Sequence, residues 1–263
     1  MASGTSAAEI MMASSSNIQG ESFNSMGLEH YSAAAEGDFE KFKHSDSEAL
    51  AKILIQNGNT ILHIHITARP LPKSSTGQEN KTVKLPEDGY FVRRVLGKCS
   101  DLLWKDNKKG ETLLHMAARY GHADIVKFLL EECKKKPHKN HDDDQELGIT
   151  PTRRMLQMTS HGAKDTSHGA KDFFSPAFSQ TLYKDTALHE AVRYGQLDVV
   201  KVLTEADPEL TYEDNTAGDH ETPLYLAAER GYAEVLKEIL KTCTSPADHG
   251  PYGRTALHMA VIR

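Results

Sequence analysis

The chain has 263 residues, 31 Lys plus Arg against 37 Asp plus Glu, and a formal net charge of −6. That length allows one large domain or two ordinary ones, and the mildly acidic balance argues against a nucleic-acid binder, which needs a basic stripe to neutralise phosphates. The excess is uneven: 13 acidic and 7 basic residues lie from Thr186 to Arg263, leaving 24 of each before them.

Residues 1–26 lack a cationic start and a continuous apolar stretch, so no signal peptide is expected, and they read as a disordered Ser/Ala-rich leader. Ala2 excludes the myristoylation signal, which needs Gly there. No run of 18 apolar residues occurs, so no direct membrane insertion is expected, and the chain reads as cytoplasmic. Cys99, Cys133 and Cys243 are scattered with no CxxC pair, which suits reduced, buried thiols better than a disulfide framework or a zinc site.

From Glu29 onward one pattern returns. EHYSAAAEGDFEKF is a degenerate first copy, with Leu28 in the place later taken by threonine. NTILHIHI follows from Asn59, ETLLHMAARYGHADIVKFLL from Glu111, DTALHEAVRYGQLDVVKVL from Asp185, ETPLYLAAERGYAEVLKEIL from Glu221 and RTALHMAVIR from Arg254. Thr60, Thr112, Thr186, Thr222 and Thr255 are spaced by 52, 74, 36 and 33 residues. Each threonine is a good N-cap. Leu114, Ala117 and Ala118 supply a small apolar helical face, and Gly121 ends the helix in a conformation that glycine reaches without steric cost. Ile125, Val126, Phe128, Leu129 and Leu130 give the packing face of a return helix opened by Asp124, as Asp198 and Glu234 open its counterparts.

The two long spacings hold insertions. About 18 extra residues lie near 69–88, and about 40 near 133–183. The second contains His138, His141, Asp142, Asp143 and Asp144, and a duplicated heptad, SHGAKDT then SHGAKDF, that carries His161, Asp165, His168 and Asp172. It also contains Thr150-Pro151 before TRRMLQM, which reads as a short capped helix. Long polar insertions in repeat proteins map to loops, and no zinc-type spacing is present, so metal in the 133–185 insertion, and with it an enzyme, is only a remote alternative. No GxxxxGK, GxSxG, HExxH or GxGxxG occurs.

A period of about 33 residues with this Thr-x-Leu-His-x-Ala core resembles the ankyrin repeat. The expected fold is therefore all-α: an ankyrin-repeat solenoid of stacked helix-turn-helix units with short β-hairpin tips, over residues 27–263. The units read as 28–58, 59–110, 111–184, 185–220, 221–253 and an incomplete 254–263. The chain stops at Arg263 after a first helix, so it is expected to be a fragment of a longer protein or to end on a frayed unit. HYSAAAEGDFEKFK, NGNTILHIHIT, TALHEAVRYG and above all TPLYLAAERGYAEVLKEILKTCTSPADHGPYGRTALHMAVI also resemble plant ankyrin-repeat membrane proteins of the accelerated-cell-death and salt-tolerance type. That resemblance implies a role in stress or defence signalling at the cytosolic face of the plasma membrane, with further repeats and a C-terminal PGG domain bearing several membrane helices.

His63, His115, His189 and His258 recur once per unit, and stacking sets equivalent positions about 10 Å apart, too far to share a metal. They are expected to bond backbone or threonine groups between units, with Tyr225 replacing histidine once. No cofactor, metal site or catalytic residue is expected. The residue before each threonine and the two before each glycine are not expected to be needed for packing: Glu111, Arg119 and Tyr120; Asp185, Arg193 and Tyr194; Glu221, Glu229 and Arg230; then Arg254. Tyr and Arg are favoured at protein-binding hot spots, so these ten are the candidate partner strip on the concave face. The hairpin-tip residues Asp106, Asn107, Lys108, Asp214 and Asn215 are weaker candidates.

Overall fold

A computed structural model describes residues 26–70, 87–137, 148–160, 185–209 and 221–262. The leader up to residue 25, His138, His141, Asp142, Asp143, Asp144, His161, Asp165, His168, Asp172, Asp214 and Asn215 lie outside them.

The described helices are α1 (Leu28–Glu36), α2 (Ser47–Lys52), α3 (Ile61–Ala68), α4 (Glu87–Lys98), α5 (Leu113–Arg119), α6 (Ala123–Lys135), α7 (Pro151–Gln157), α8 (Ala187–Arg193), α9 (Leu197–Ala206), α10 (Pro223–Arg230), α11 (Ala233–Thr242) and α12 (Ala256–Ile262). First helices stack on first helices in the order α1, α3, α5, α8, α10, α12, while α6, α9 and α11 stack as the return layer. One apolar core runs between the layers, fed by each pair in turn, as with Leu114, Ala117 and Ala118 of α5 and Ile125, Val126 and Leu129 of α6. The alanines let neighbouring backbones approach closely, which is why short helices of seven or eight residues suffice here.

The turn between paired helices depends on glycine for two reasons. Gly121 and Gly195 sit at φ +75° and +67°, where other residues are strained. A Cβ at Gly121 would also lie 2.4 Å from Gln196 Oε1, and one at Gly195 3.2 Å from Tyr232 Cζ, so the next unit's side chain occupies the vacated space. Hairpin tips reduce to isolated antiparallel bridges, Leu54 with Thr60, Thr159 with Thr186 and His249 with Thr255, and no strand forms among the described residues.

The first unit departs from the pattern. After Gly37 the chain makes a 3₁₀ turn over Phe39–Phe42 and then α2, capped by Asp46, whose carboxylate accepts the Ala49 amide at 2.7 Å. Phe42 is buried there, edge-on to Phe91 of α4 at 5.8 Å, and Lys98 of α4 donates to the Lys43 and Ser45 carbonyls. The short helix inside the long insertion is α7. Thr150 caps it by accepting the Arg153 amide at 3.2 Å, Met155 and Leu156 are buried, and α7 packs on α6. The chain beyond α7 then serves as hairpin edge for the next unit, the Ser160 amide donating to the Asp185 carbonyl at 2.9 Å. All three cysteines are buried free thiols.

Candidate protein-binding face

Three of the first helices, α3, α5 and α8, begin with a threonine and a histidine joined as a capping box. In α3, α5 and α8 the histidine Nδ1 lies 2.8 Å from the threonine Oγ1 and accepts that threonine's backbone N–H, at 3.3, 3.2 and 3.2 Å. An Nδ1 that accepts leaves the ring proton on Nε2. Nε2 then donates across the unit boundary: His63 to the Glu111 carbonyl at 3.0 Å, His115 to that of Asp185 at 3.0 Å, His189 to that of Glu221 at 3.1 Å. Burial pushes all three rings down to about 4, so they stay neutral. This is the structural role expected for them.

Where Tyr225 replaces histidine, the device changes. The Thr222 hydroxyl itself donates to the His249 carbonyl at 2.8 Å, while the tyrosine ring fills the space beside Gly250. His258 keeps the Thr255 box but is exposed, as is its neighbour Leu257; the counterpart Leu114 is buried beneath α8.

The residues that carry these carbonyls also carry charge. Arg119 of α5 donates through Nη2 to Glu111 Oε1 at 2.5 Å, and through Nη2 and Nε to the two Glu190 oxygens at 2.7 and 2.8 Å. One unit further, Arg193 donates to Asp185 at 3.0 Å and to Glu221 at 3.4 Å. Each arginine thus joins the acid opening its own unit to an acid of the next. Glu111 and Asp185 are buried. Burial alone would raise the Glu111 pKa, but the Asn107 amide and Arg119 outweigh it and hold the carboxyl below its usual range. Burial works against the charge on Arg119 and Arg193 as well, and their carboxylate partners raise both pKa values above the ordinary one.

The structure therefore corrects one reading of these positions: Glu111, Arg119, Asp185, Arg193 and Glu221 are used in packing, as ion pairs between units. Tyr194 stays outside, 52% exposed, with the Arg119 guanidinium 5.9 Å from its ring centroid. Tyr120 is half-buried and stacks on His122. Glu229 and Arg230 form a loose pair at 3.9 Å at the end of α10, and Arg254 is exposed. Asn107 is buried and ties Asn59 to Glu111, at 2.8 Å each. Glu190 was missed from sequence, since an acid inside the helical core motif looks like an ordinary helix residue; its only signal is that it faces a cation 71 positions away. Among the described residues no His/Cys/Asp/Glu group could hold a metal ion, and no helix is long and apolar enough to cross a membrane.

Helix pairs registered by histidine-to-carbonyl bonds and inter-unit ion pairs define an all-α repeat solenoid. An ankyrin-repeat family model, three copies long, matches residues 87–214 and again 188–263, so the chain belongs to the ankyrin-repeat family. Such repeats imply protein–protein interaction, and the family is generally non-catalytic. The chain is 27% identical over 167 residues to mouse Rabankyrin-5, covering 60% of this chain and 12% of that protein. It is 29% identical over 136 residues to the Caenorhabditis elegans poly [ADP-ribose] polymerase tankyrase, covering 51% and 5%. It is 26% identical over 192 residues to the Arabidopsis thaliana protein ACCELERATED CELL DEATH 6, covering 66% and 26%. It thus spans only a small part of each of these relatives.

Proposed function

We propose that this chain is a non-catalytic scaffold in plant stress and defence signalling that takes a protein partner on the concave face of its stack. Glu111, Arg119, Asp185, Arg193 and Glu221 hold the first helices in register, and Tyr120, Tyr194, Glu229, Arg230 and Arg254 offer the contacts. The observation that carries this reading is the exposed Tyr194 ring on the guanidinium of a doubly paired Arg119. A large ring held by a fixed cation loses little freedom when a partner covers it, which is what a hot spot needs. Proximity labelling in the native cell would supply partners. Tyr194→Ala with Arg230→Ala is then expected to abolish capture of the main partner while leaving the helical circular dichroism intact. Full capture by the folded double variant overturns the proposal.

A second reading makes the chain the cytosolic regulatory arm of a larger multi-span membrane protein. It is supported by the alignment with ACCELERATED CELL DEATH 6, which takes in 66% of this chain but only 26% of that one. Sequencing the transcript past the codon for Arg263 tests it: an immediate stop codon removes the reading, and downstream apolar segments support it.

A further inference from the structure

Four Ser/Thr-Pro dipeptides occur in the chain: Thr150-Pro151, Ser175-Pro176, Thr222-Pro223 and Ser245-Pro246. Kinases that act before proline use the missing N–H of that residue and the extended backbone it imposes on the acceptor, and one subclass also pairs an acidic pocket with a cation three residues beyond. The third following residues here are Arg153, Phe178, Tyr225 and Asp248. Only Thr150 has the cation. Ser175 lies outside the described residues. Thr222 is fully buried with its hydroxyl spent on the His249 carbonyl. Ser245 is exposed but is followed by an acid at the discriminating position. Thr150 is exposed, its backbone is extended at φ −72° and ψ 152°, and none of the described residues lies within 4 Å of the space beside Gly148 two residues before it.

We propose that Thr150 is a phosphorylation site for a proline-directed kinase that also reads Arg153, and that the phosphate draws Arg153 away from Asp207. In the transfer, Thr150 Oγ1 attacks the γ-phosphorus of a nucleoside triphosphate. The new O–P bond forms as the bond to the β-phosphate oxygen breaks, the hydroxyl proton passes to the kinase's base, and the diphosphate leaves. For the kinase to read an extended strand, the first turn of α7 must open. That opening breaks the Thr150 cap on the Arg153 amide and the ion pair of Arg153 with Asp207, whose arginine side chain is one-third exposed. Both are modest bonds on a seven-residue helix.

The product has a defined consequence. Thr150 Oγ1 already sits 3.2 Å from the Arg153 amide nitrogen, so the phosphate arises beside that residue. Arg153 now holds the two Asp207 oxygens from Nε and Nη2 at 2.5 and 2.7 Å, linking α7 to the residue that ends α9. A phosphate carries nearly two charges and three acceptor oxygens, against one charge and two oxygens on the carboxylate. Arg153 exchanges partners, α7 keeps its packing on α6, and the ion pair from Arg153 to Asp207 at the end of α9 is lost.

The full chain, incubated with magnesium ATP and a proline-directed kinase already shown active on a standard Ser-Pro substrate, should take up one phosphate at Thr150, located by mass spectrometry. Arg153→Ala should slow that uptake about tenfold, the worth of one lost charged contact of ~1.4 kcal/mol. Amide exchange over residues 151–160 should rise several-fold on phosphorylation. Asp207→Asn should raise it equally without phosphate, and phosphorylating that variant should add nothing. Absence of phosphate at Thr150, or uptake indifferent to Arg153→Ala, overturns the site. Uptake at Thr150 with unchanged exchange overturns the exchange of partners.

Discussion

The ring of His115 spans two units, its Nδ1 3.2 Å from the amide of Thr112 below and its Nε2 3.0 Å from the carbonyl of Asp185 above. Both bonds need a neutral ring with the proton on Nε2. Protonating Nδ1 would set a second N–H against the threonine amide and place a charge where water does not reach.

That arrangement makes the fold acid-sensitive, and the sign follows from proton counts. His63, His115 and His189 titrate near 4 when folded and near 6.5 when unfolded. Between those values the unfolded chain binds more protons, so stability falls as pH falls. Each ring contributes about 3 kcal/mol of loss by pH 4, and nothing above pH 7. Urea midpoints should therefore be flat from pH 7 to 8 and drop steeply between pH 6 and 5. A midpoint unchanged at pH 5 would show that the rings ionise in place.

His115→Gln separates the bond from the charge. Glutamine offers an amide N–H toward the Asp185 carbonyl but cannot also accept at the Nδ1 position while filling the ring's volume. The expected cost is about 2 kcal/mol at pH 7.5, with a shallower loss toward pH 5 because one titrating group is gone. A parallel downward shift at every pH would show that His115 is not one of the groups responsible.

The charged pairs give a third prediction. Arg119 lies between Glu111 and Glu190, whose side chains are 8% and 6% exposed. Arg119→Met would leave two buried carboxylates without their cation and is expected to cost about 3–5 kcal/mol at pH 7. Adding Glu190→Gln should recover part of that, since it removes one stranded charge, whereas Glu190→Gln alone should destabilise. If the two changes simply add in a denaturation cycle, Arg119 and Glu190 are not coupled.

How much of this was legible beforehand follows from how local each cause is. The threonine caps, the glycine turns and the Thr150-Pro151 helix depend on residues within four positions, and their spacing shows them directly. The histidines could be assigned to bonds between units because their repetition at unit spacing rules out convergence. Glu190 could not be found that way: its partner Arg119 lies across the long insertion, and only the stacked backbone brings the two side chains to 2.7 Å. The same limit let Glu111 and Asp185 look like free surface, when the next unit in fact covers them. The broken return helix of the first unit was hidden as well, because it rests on Phe91 arriving from α4 to cover Phe42.

Tyr225 and Gly250 form a pair that replaces the histidine device, and a substitution can tell them apart from a general packing site. Gly250 has φ −154°, extended backbone that alanine adopts freely, so no conformational strain is at stake. A Cβ there would instead lie 2.2 Å from Tyr225 Cδ2, on a ring that is itself buried. Gly250→Ala is expected to cost about 2 kcal/mol through overpacking. Tyr225→His restores the residue used at His63, His115 and His189, and the smaller ring withdrawn toward the Thr222 cap clears the methyl group. The double variant should therefore be more stable than Gly250→Ala alone, although Tyr225→His in the parent background should be neutral or destabilising. Thermal unfolding of the four proteins checks the cycle. Equal losses for Gly250→Ala with tyrosine or histidine at 225 would mean that the glycine is required by something other than that ring.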